Sequence, residues 1–448
     1  MSFPAYTSTK WSGQEWIGSI PSHWTIDPLF AVVRERNVKN TDEAESNLLS
    51  LSYGKIIRKD IHAREGLLPE SFSTYQIVEP NDIIWRLTDL QNDKRSLRTA
   101  IVEERGIITS AYLRTKPEGI NPDFLNYLLR AYDLTKVFYS LGSGLRQSMK
   151  FDDVRRLPAI IPPSSEQNAI VQFLDRETAK IDELIAAQED LIRLLKEKRQ
   201  AVISHAVTKG LDPNAPMKPS GIEWLGDIPA HWTLSPVKYH ASILSGYAFP
   251  SSGFSRDAFD TRLLRGTNVD VGTTRWIDNV YWSRSDGDGL SGWELTEGDL
   301  VLGMDRPWIS SGLRIAKISE SDLPCLLLQR VCAIRPKAGA VSDFLMRLFQ
   351  HNAFYHHCAP EMTGVSVPHI SPSQVLNYTV PVPHHDEQLR IVDFLYGEET
   401  KYSSLIGEAE ASISLLKERR AALISAAVTG KIDVRGEVEL TEDEAIPA

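Results

Sequence analysis

Apolar side chains recur at Ile170, Phe173/Leu174, Ile181, Leu184/Ile185, Leu191/Ile192, Leu195 and Val202/Ile203. Steps of three, four and seven place them on one stripe of an α-helix. No proline or glycine interrupts residues 166–209, so the pattern predicts one helix of about 44 residues, roughly 65 Å long at 1.5 Å per residue. The stripe returns at Ile391, Phe394/Leu395, Leu405/Ile406, Ile413, Leu415/Leu416 and Leu423/Ile424. Such a length exceeds the about 30 Å span of a small domain, so part of each helix needs a partner beyond its own domain. The other helix is the natural one. Ile181, Ile185, Ile192 and Leu195 are expected to zip against Leu405, Ile406, Ile413 and Leu416 as a coiled coil.

Between the helices the pattern shortens. Runs such as "DIIWRL", "GIITSAYL", "AIIPP", "DLVLGM", "CLLLQRVCAI" and "YTVPVP" read as strands, and "DFLNYLLRAY" and "DFLMRLFQHN" as short helices. Turn signals at 79–82 and 297–299 precede strands. The fold class is α+β: two mixed α/β globular domains joined by two long antiparallel helices.

Both parts are duplicated. "SGQEWIGSIPSHW" at 12–24 is answered by "SGIEWLGDIPAHW" at 220–232. The helix at 162–210 is answered at 383–431 with a constant offset of 221 and no gap. The globular parts match only in frame: "EPNDIIWRL" (79–87) with "TEGDLVLGM" (296–304), and "NPDFLNYLLR" (121–130) with "VSDFLMRLFQ" (341–350). Internal two-fold pseudo-symmetry follows, and with it an antiparallel helix pair. The expected domains are 1–161, a spacer helix 162–210, 211–382, a second spacer helix 383–434 and an acidic, disordered tail 435–448. The Trp and Ile-Pro residues of the opening motif are expected to pin each domain against the helices.

The net charge of −10 argues mildly against nucleic acid until its distribution is considered. Residues 383–448 hold 14 acids and 7 bases, whereas 1–161 hold 20 and 21. A basic face on each domain is therefore open. No apolar run reaches membrane-spanning length and no secretory signal opens the chain. Three cysteines make no disulfide framework, so a cytoplasmic protein is expected.

Catalytic patterns are missing. "NPDF" lacks the second proline of an amino-methyltransferase loop, and there is no phosphate-binding GxxxxGK[S/T]. The acidic-x-Lys of Glu399 and Lys401 lies within a helix. His356–Cys358 with Cys325 and Cys332 has the wrong spacing for zinc. No catalytic residue, metal or cofactor is expected.

The arrangement resembles the specificity (S) subunit of type I restriction–modification systems over essentially the whole chain. The motifs that carry this are "EWIGSIPSHW" and "EWLGDIPAHW", with "IIPPSSEQNAIVQFLD" and "VPVPHHDEQLRIVDFL" leading into the helices. Pro-Pro-x-x-Glu-Gln is intact at Pro162, Pro163, Glu166 and Gln167; the second copy keeps Pro383, Glu387 and Gln388 but has His384. The resemblance implies that each globular segment is a target recognition domain reading one half of a bipartite double-stranded DNA site. The helices then set the spacer, two methyltransferase subunits dock on the assembly, and restriction subunits can join. Readers about 34–36 Å apart enter successive major-groove faces.

Applied to this sequence, it points to basic, polar loops. In the first domain these are Lys94, Arg95 and Arg98, with Arg146, Gln147 and Lys150. In the second they are Arg262, Arg265 and Asn268, with Arg306, Ser366 and His369. Two other readings stay open: a coiled-coil adaptor with two protein-binding heads, and a self-sufficient DNA methyltransferase or nuclease with degenerate motifs.

Overall fold

The helical stripes do form two long helices, Ser164–Lys209 and His385–Val428, of 46 and 44 residues. The computed structural model describes residues 3–62, 69, 71–90, 97–140, 148–223, 225–362 and 368–437. The chain divides into two units: Met1–Asp190 with Ala409–Ala448, and Leu191–Glu408. Each unit thus takes the first turns of one long helix and the last turns of the other. From position 438 the expected tail lies outside the described residues.

In unit 1 a four-stranded antiparallel sheet runs Thr99–Ile101, Ile83–Trp85, Leu113–Pro117, Val33–Arg36. The helix Pro122–Leu134 packs on it. Asn121 caps that helix by accepting from the Asp123 and Phe124 amides, and Pro122 sits in its first turn. Trp85, Phe124, Leu128 and Phe138 form the core with Phe173 and Leu174 of the first long helix and Ile424, Ala427 and Val428 of the second. Unit 2 repeats the sheet order with Ile315–Lys317, Leu300–Gly303, Val331–Pro336 and Ala241–Ser245. Phe344, Leu348 and Phe349 of the helix Ser342–Gln350 fill its core with Ile203 and Val207, and with Ile391 and Leu395. The smaller three-stranded sheets differ. That of unit 1 is antiparallel throughout, whereas that of unit 2 pairs Thr261–Leu264 parallel to Cys325–Leu327.

The repeated opening motif has a defined task in each unit. In unit 1 the Glu166 carboxylate, in the first turn of the first long helix, accepts from Trp24 Nε1 at 2.9 Å, Tyr6 Oη at 2.9 Å and His23 Nε2 at 2.6 Å. Burial pushes its pKa up, but the three hydrogen bonds together outweigh that and hold it below the usual glutamate value. Gln167 accepts from the Asn121 amide at 2.8 Å, tying the same turn to the sheet-packing helix. Gly430, at φ +68°, closes the end of the second long helix against Pro21 and Trp24, with no room for a Cβ. In unit 2 His231 Nε2 donates to Glu387 at 2.9 Å, Gln388 accepts from the Val341 amide at 3.0 Å, and Gly210 lies against Trp232. The His-Trp pair therefore clasps the start of one long helix and the end of the other. Trp224 of the second motif lies outside the described residues.

Along the helices, Ile181 and Ile406 are buried, while Ile185, Ile192, Leu195, Ile413 and Leu416 are half-buried. Leu405 is 39% exposed and corrects the expected interface. The covered stripe runs Tyr402, Ile406, Ala409, Ile413, Leu416, in alternating steps of four and three that place Leu405 on the neighbouring face. Within unit 1, Arg420 of the second helix meets Asp182 of the first at 3.2 Å.

Candidate nucleic-acid interface

In unit 1 the strand Ile83–Trp85 runs out into the first basic loop, and the second returns beside it. The Arg86 amide donates to the Arg98 carbonyl at 2.7 Å, and the Met149 amide donates to the Leu87 carbonyl at 2.9 Å. Both expected reading loops thus leave from one sheet edge. Lys94, Arg95, Arg146 and Gln147 lie outside the described residues. Lys150 is exposed at the root of the second loop. It lines an open cleft of 360 Å³ with Arg36, Asn37, Ser110 and Tyr112.

Arg98 corrects an expectation: it is fully buried. Its guanidinium donates to the Thr88 carbonyl at 3.0 Å, the Asp89 carbonyl at 3.5 Å and Tyr139 Oη at 3.2 Å. Asp89 sits at φ +57°, so Arg98 holds a strained turn from beneath. A buried guanidinium spent on loop carbonyls has no face left for a base edge.

Unit 2 builds the same edge from different residues. The Gly303 amide donates to the Arg314 carbonyl at 3.0 Å, and the Ile370 amide to the Met304 carbonyl at 3.1 Å. Arg314 donates to the Asp305 carbonyl at 3.2 Å and the Val269 carbonyl at 3.0 Å, as Arg98 does in unit 1. Arg306, at φ +45°, occupies the place of Asp89. Its side chain is exposed, and its amide donates to the Pro368 carbonyl at 2.8 Å. His369 bonds Asp305 through Nδ1 at 2.7 Å. Arg306 and His369 therefore come together, while Ser366 lies outside the described residues.

The remaining expected readers hold the fold. Asn268 is fully buried, accepting from the Arg265 amide at 3.0 Å and donating to the Arg275 carbonyl at 2.9 Å, which corrects its assignment as a base reader. Arg265 donates to the Asp278 carbonyl. Arg262 donates to the Ser321 and Leu323 carbonyls at 2.8 and 3.2 Å and stacks over Trp276 at 4.6 Å. These three follow a basic sequence stretch, but that stretch is the strand Thr261–Leu264 and the turn after it.

Sequence reasoning missed Arg36, Asn37, Asp305 and Arg330. Arg330 stands out: it is exposed beside Asp305, at 3.6 Å, in the turn before the strand Val331–Pro336. Its signal was available, since a Gln-Arg pair inside the apolar run "CLLLQRVCAI" marks a turn rather than one continuous strand. Among the described residues no group of His, Cys, Asp and Glu side chains is arranged to hold a metal ion, and no helix is long and apolar enough to cross a membrane.

Comparison with known proteins gives one consistent neighbourhood. No family model matches the chain. It is 25% identical over 365 residues to the type I restriction enzyme MjaVIII specificity subunit of Methanocaldococcus jannaschii, covering 80% of this chain and 81% of that one. It is 34% identical over 207 residues to the type I restriction enzyme EcoAI specificity subunit of Escherichia coli. That match takes in 46% of this chain and only 34% of the length of the Escherichia coli protein. In structure it is similar to a chain of a type I R-M system, solved in work on that system's complex assembly and conformational transition. The TM-score is 0.68 at 16% identity, covering 91% of this chain and 98% of the other, which is a likeness of fold.

Proposed function

We propose that this chain, a relative of the type I restriction enzyme specificity subunits, is the non-catalytic DNA-reading subunit of a cytoplasmic type I restriction–modification complex. Each unit reads one half of a bipartite duplex site. The long helices pair as an antiparallel coiled coil about an internal two-fold axis, set the unread spacer and carry two methyltransferase subunits. Restriction subunits join that assembly, and methylation and cleavage belong to the partners.

The observation that carries this reading is the duplicated edge: the same backbone hydrogen bonds and a bracing arginine in each unit, Arg98 buried and Arg314 half-buried, with different exposed side chains. A shared frame with divergent contents suits two readers of unlike sequences. Phosphate contacts from the loops supply position and salt dependence, and groove contacts supply sequence.

The test is a gel-shift series with the chain and its methyltransferase subunits on duplexes of varied sequence. Affinity is expected to be at least about 1000-fold higher for one bipartite sequence than for unrelated duplexes, and to fall steeply as salt rises from 50 to 200 mM. Equal, weak affinity for every duplex contradicts the reading. A pure chain that methylates or cuts DNA by itself supports the self-sufficient enzyme instead, and binding indifferent to salt and to DNA supports the adaptor.

A further inference from the structure

We propose that Arg330 is the residue of unit 2 that recognises a guanine in the major groove, with Asp305 and His369 holding it in position. This rests on the DNA-reading function proposed above and names one contact within it.

Three other arginines of unit 2 are committed elsewhere. Arg262 and Arg265 donate to backbone carbonyls, and Arg314 braces the Asp305 and Val269 carbonyls from beneath. The Arg330 side chain is 64% exposed. Its one ion pair among the described residues is to Asp305 at 3.6 Å, beyond direct hydrogen-bond length. The planar fork therefore stands beside a carboxylate with its donors open, as a bidentate contact to guanine O6 and N7 requires. Asp305 is itself fixed by His369 Nδ1 at 2.7 Å.

The backbone is equally prepared. Arg330 sits at φ +69°, a left-handed position held because its carbonyl accepts from the Met304 amide at 3.0 Å. The residues on either side are fastened too, the Gln329 amide donating to the Tyr247 carbonyl at 2.9 Å and the Val331 carbonyl accepting from the Gly246 amide at 3.0 Å. A Cβ on Gly246 would stand 2.1 Å from the Leu328 carbonyl oxygen, so glycine is what lets this turn be gripped so closely. Rigid presentation of this kind removes the cost of ordering a long side chain's backbone on binding.

The sheet register shows what unit 1 has instead. Leu302 pairs with Cys332 and Trp85 with Leu113, which aligns Arg330 with Ala111. One half therefore offers a guanidinium where the other offers a methyl group, as two readers of different half-sites would.

The experiment uses the chain assembled with its methyltransferase subunits and the duplex that this complex binds best. Arg330→Ala is expected to lose about 10- to 100-fold in affinity for that duplex, with affinity for unrelated duplexes changed less than about 3-fold and the protein's unfolding midpoint retained. In the parent complex, methylating N7 of one guanine in one half-site blocks binding; in Arg330→Ala that interference disappears. Arg330→Lys keeps the charge and loses the fork, so it is expected to behave like Arg330→Ala. If Arg330→Lys restores full discrimination, or if Arg330→Ala keeps the parent's discrimination and interference pattern, the guanine assignment is overturned. A parent complex with no sequence preference overturns the DNA-reading function itself, so the two failures are told apart.

Discussion

Replacing Glu166 with alanine destabilises unit 1 by about 3 kcal/mol, because it leaves buried Trp24 and Tyr6 donors without an acceptor at roughly 1–3 kcal/mol each. Trp24 is fully buried and Tyr6 nearly so, and water cannot readily replace the carboxylate. The matched change in unit 2, Glu387→Ala, costs about 1 kcal/mol or less, since it removes one hydrogen bond, from a half-exposed His231. Chemical denaturation followed by tryptophan fluorescence measures both. Glu166 also brings a pH dependence. The folded pKa of Glu166 lies below its unfolded value, because three hydrogen bonds outweigh desolvation. Its contribution is therefore complete above the unfolded value of about 4.3 and is lost as pH falls through the folded value. Glu166→Gln removes that acid-sensitive component and flattens the stability curve below about pH 4.3. Equal losses for Glu166→Ala and Glu387→Ala contradict the clasp described for unit 1.

Arg98→Ala is expected to cost about 3 kcal/mol, through the cavity left by the buried side chain and the half-buried carbonyls of Thr88 and Asp89 that lose their donor. With the left-handed turn at Asp89 released, the edge that presents the first reading loop loses its fixed shape. Affinity for the preferred duplex is then expected to fall about 10- to 100-fold, the size of a lost base contact. A reading side chain predicts the opposite balance, with discrimination lost and stability kept. Denaturation and gel shift on the same variant separate the two.

Arg98 shows where sequence reading stopped. "LQNDKRSLR" advertises a basic loop, but nothing local says that its last arginine opens the buried strand Thr99–Ile101. The clue lay in self-comparison. Arg98-Thr-Ala and Arg314-Ile-Ala both lead into strands, and an arginine retained where two readers diverge belongs to the shared frame. The same logic exposes the clasp: His-Trp and Glu-Gln are the residues both copies keep, in motifs 142 positions apart in the first half. The long helices were legible because their period extends over forty residues. Leu405 was not, because adjacent apolar residues at 405 and 406 satisfy the stripe equally until the partner surface chooses one. Asn268 was misread because a buried cap and a base-reading amide look alike in sequence.

The most direct measurement of the central proposition maps the methylated sequence produced by the assembled complex, in the parent and in Lys150→Ala and Arg306→Ala. If each unit reads its own half, Lys150→Ala relaxes or weakens one half of a bipartite motif and Arg306→Ala the other, with the spacer unchanged. Loss of discrimination in both halves from either single substitution, or a motif with no two-part structure, contradicts independent readers on a shared frame.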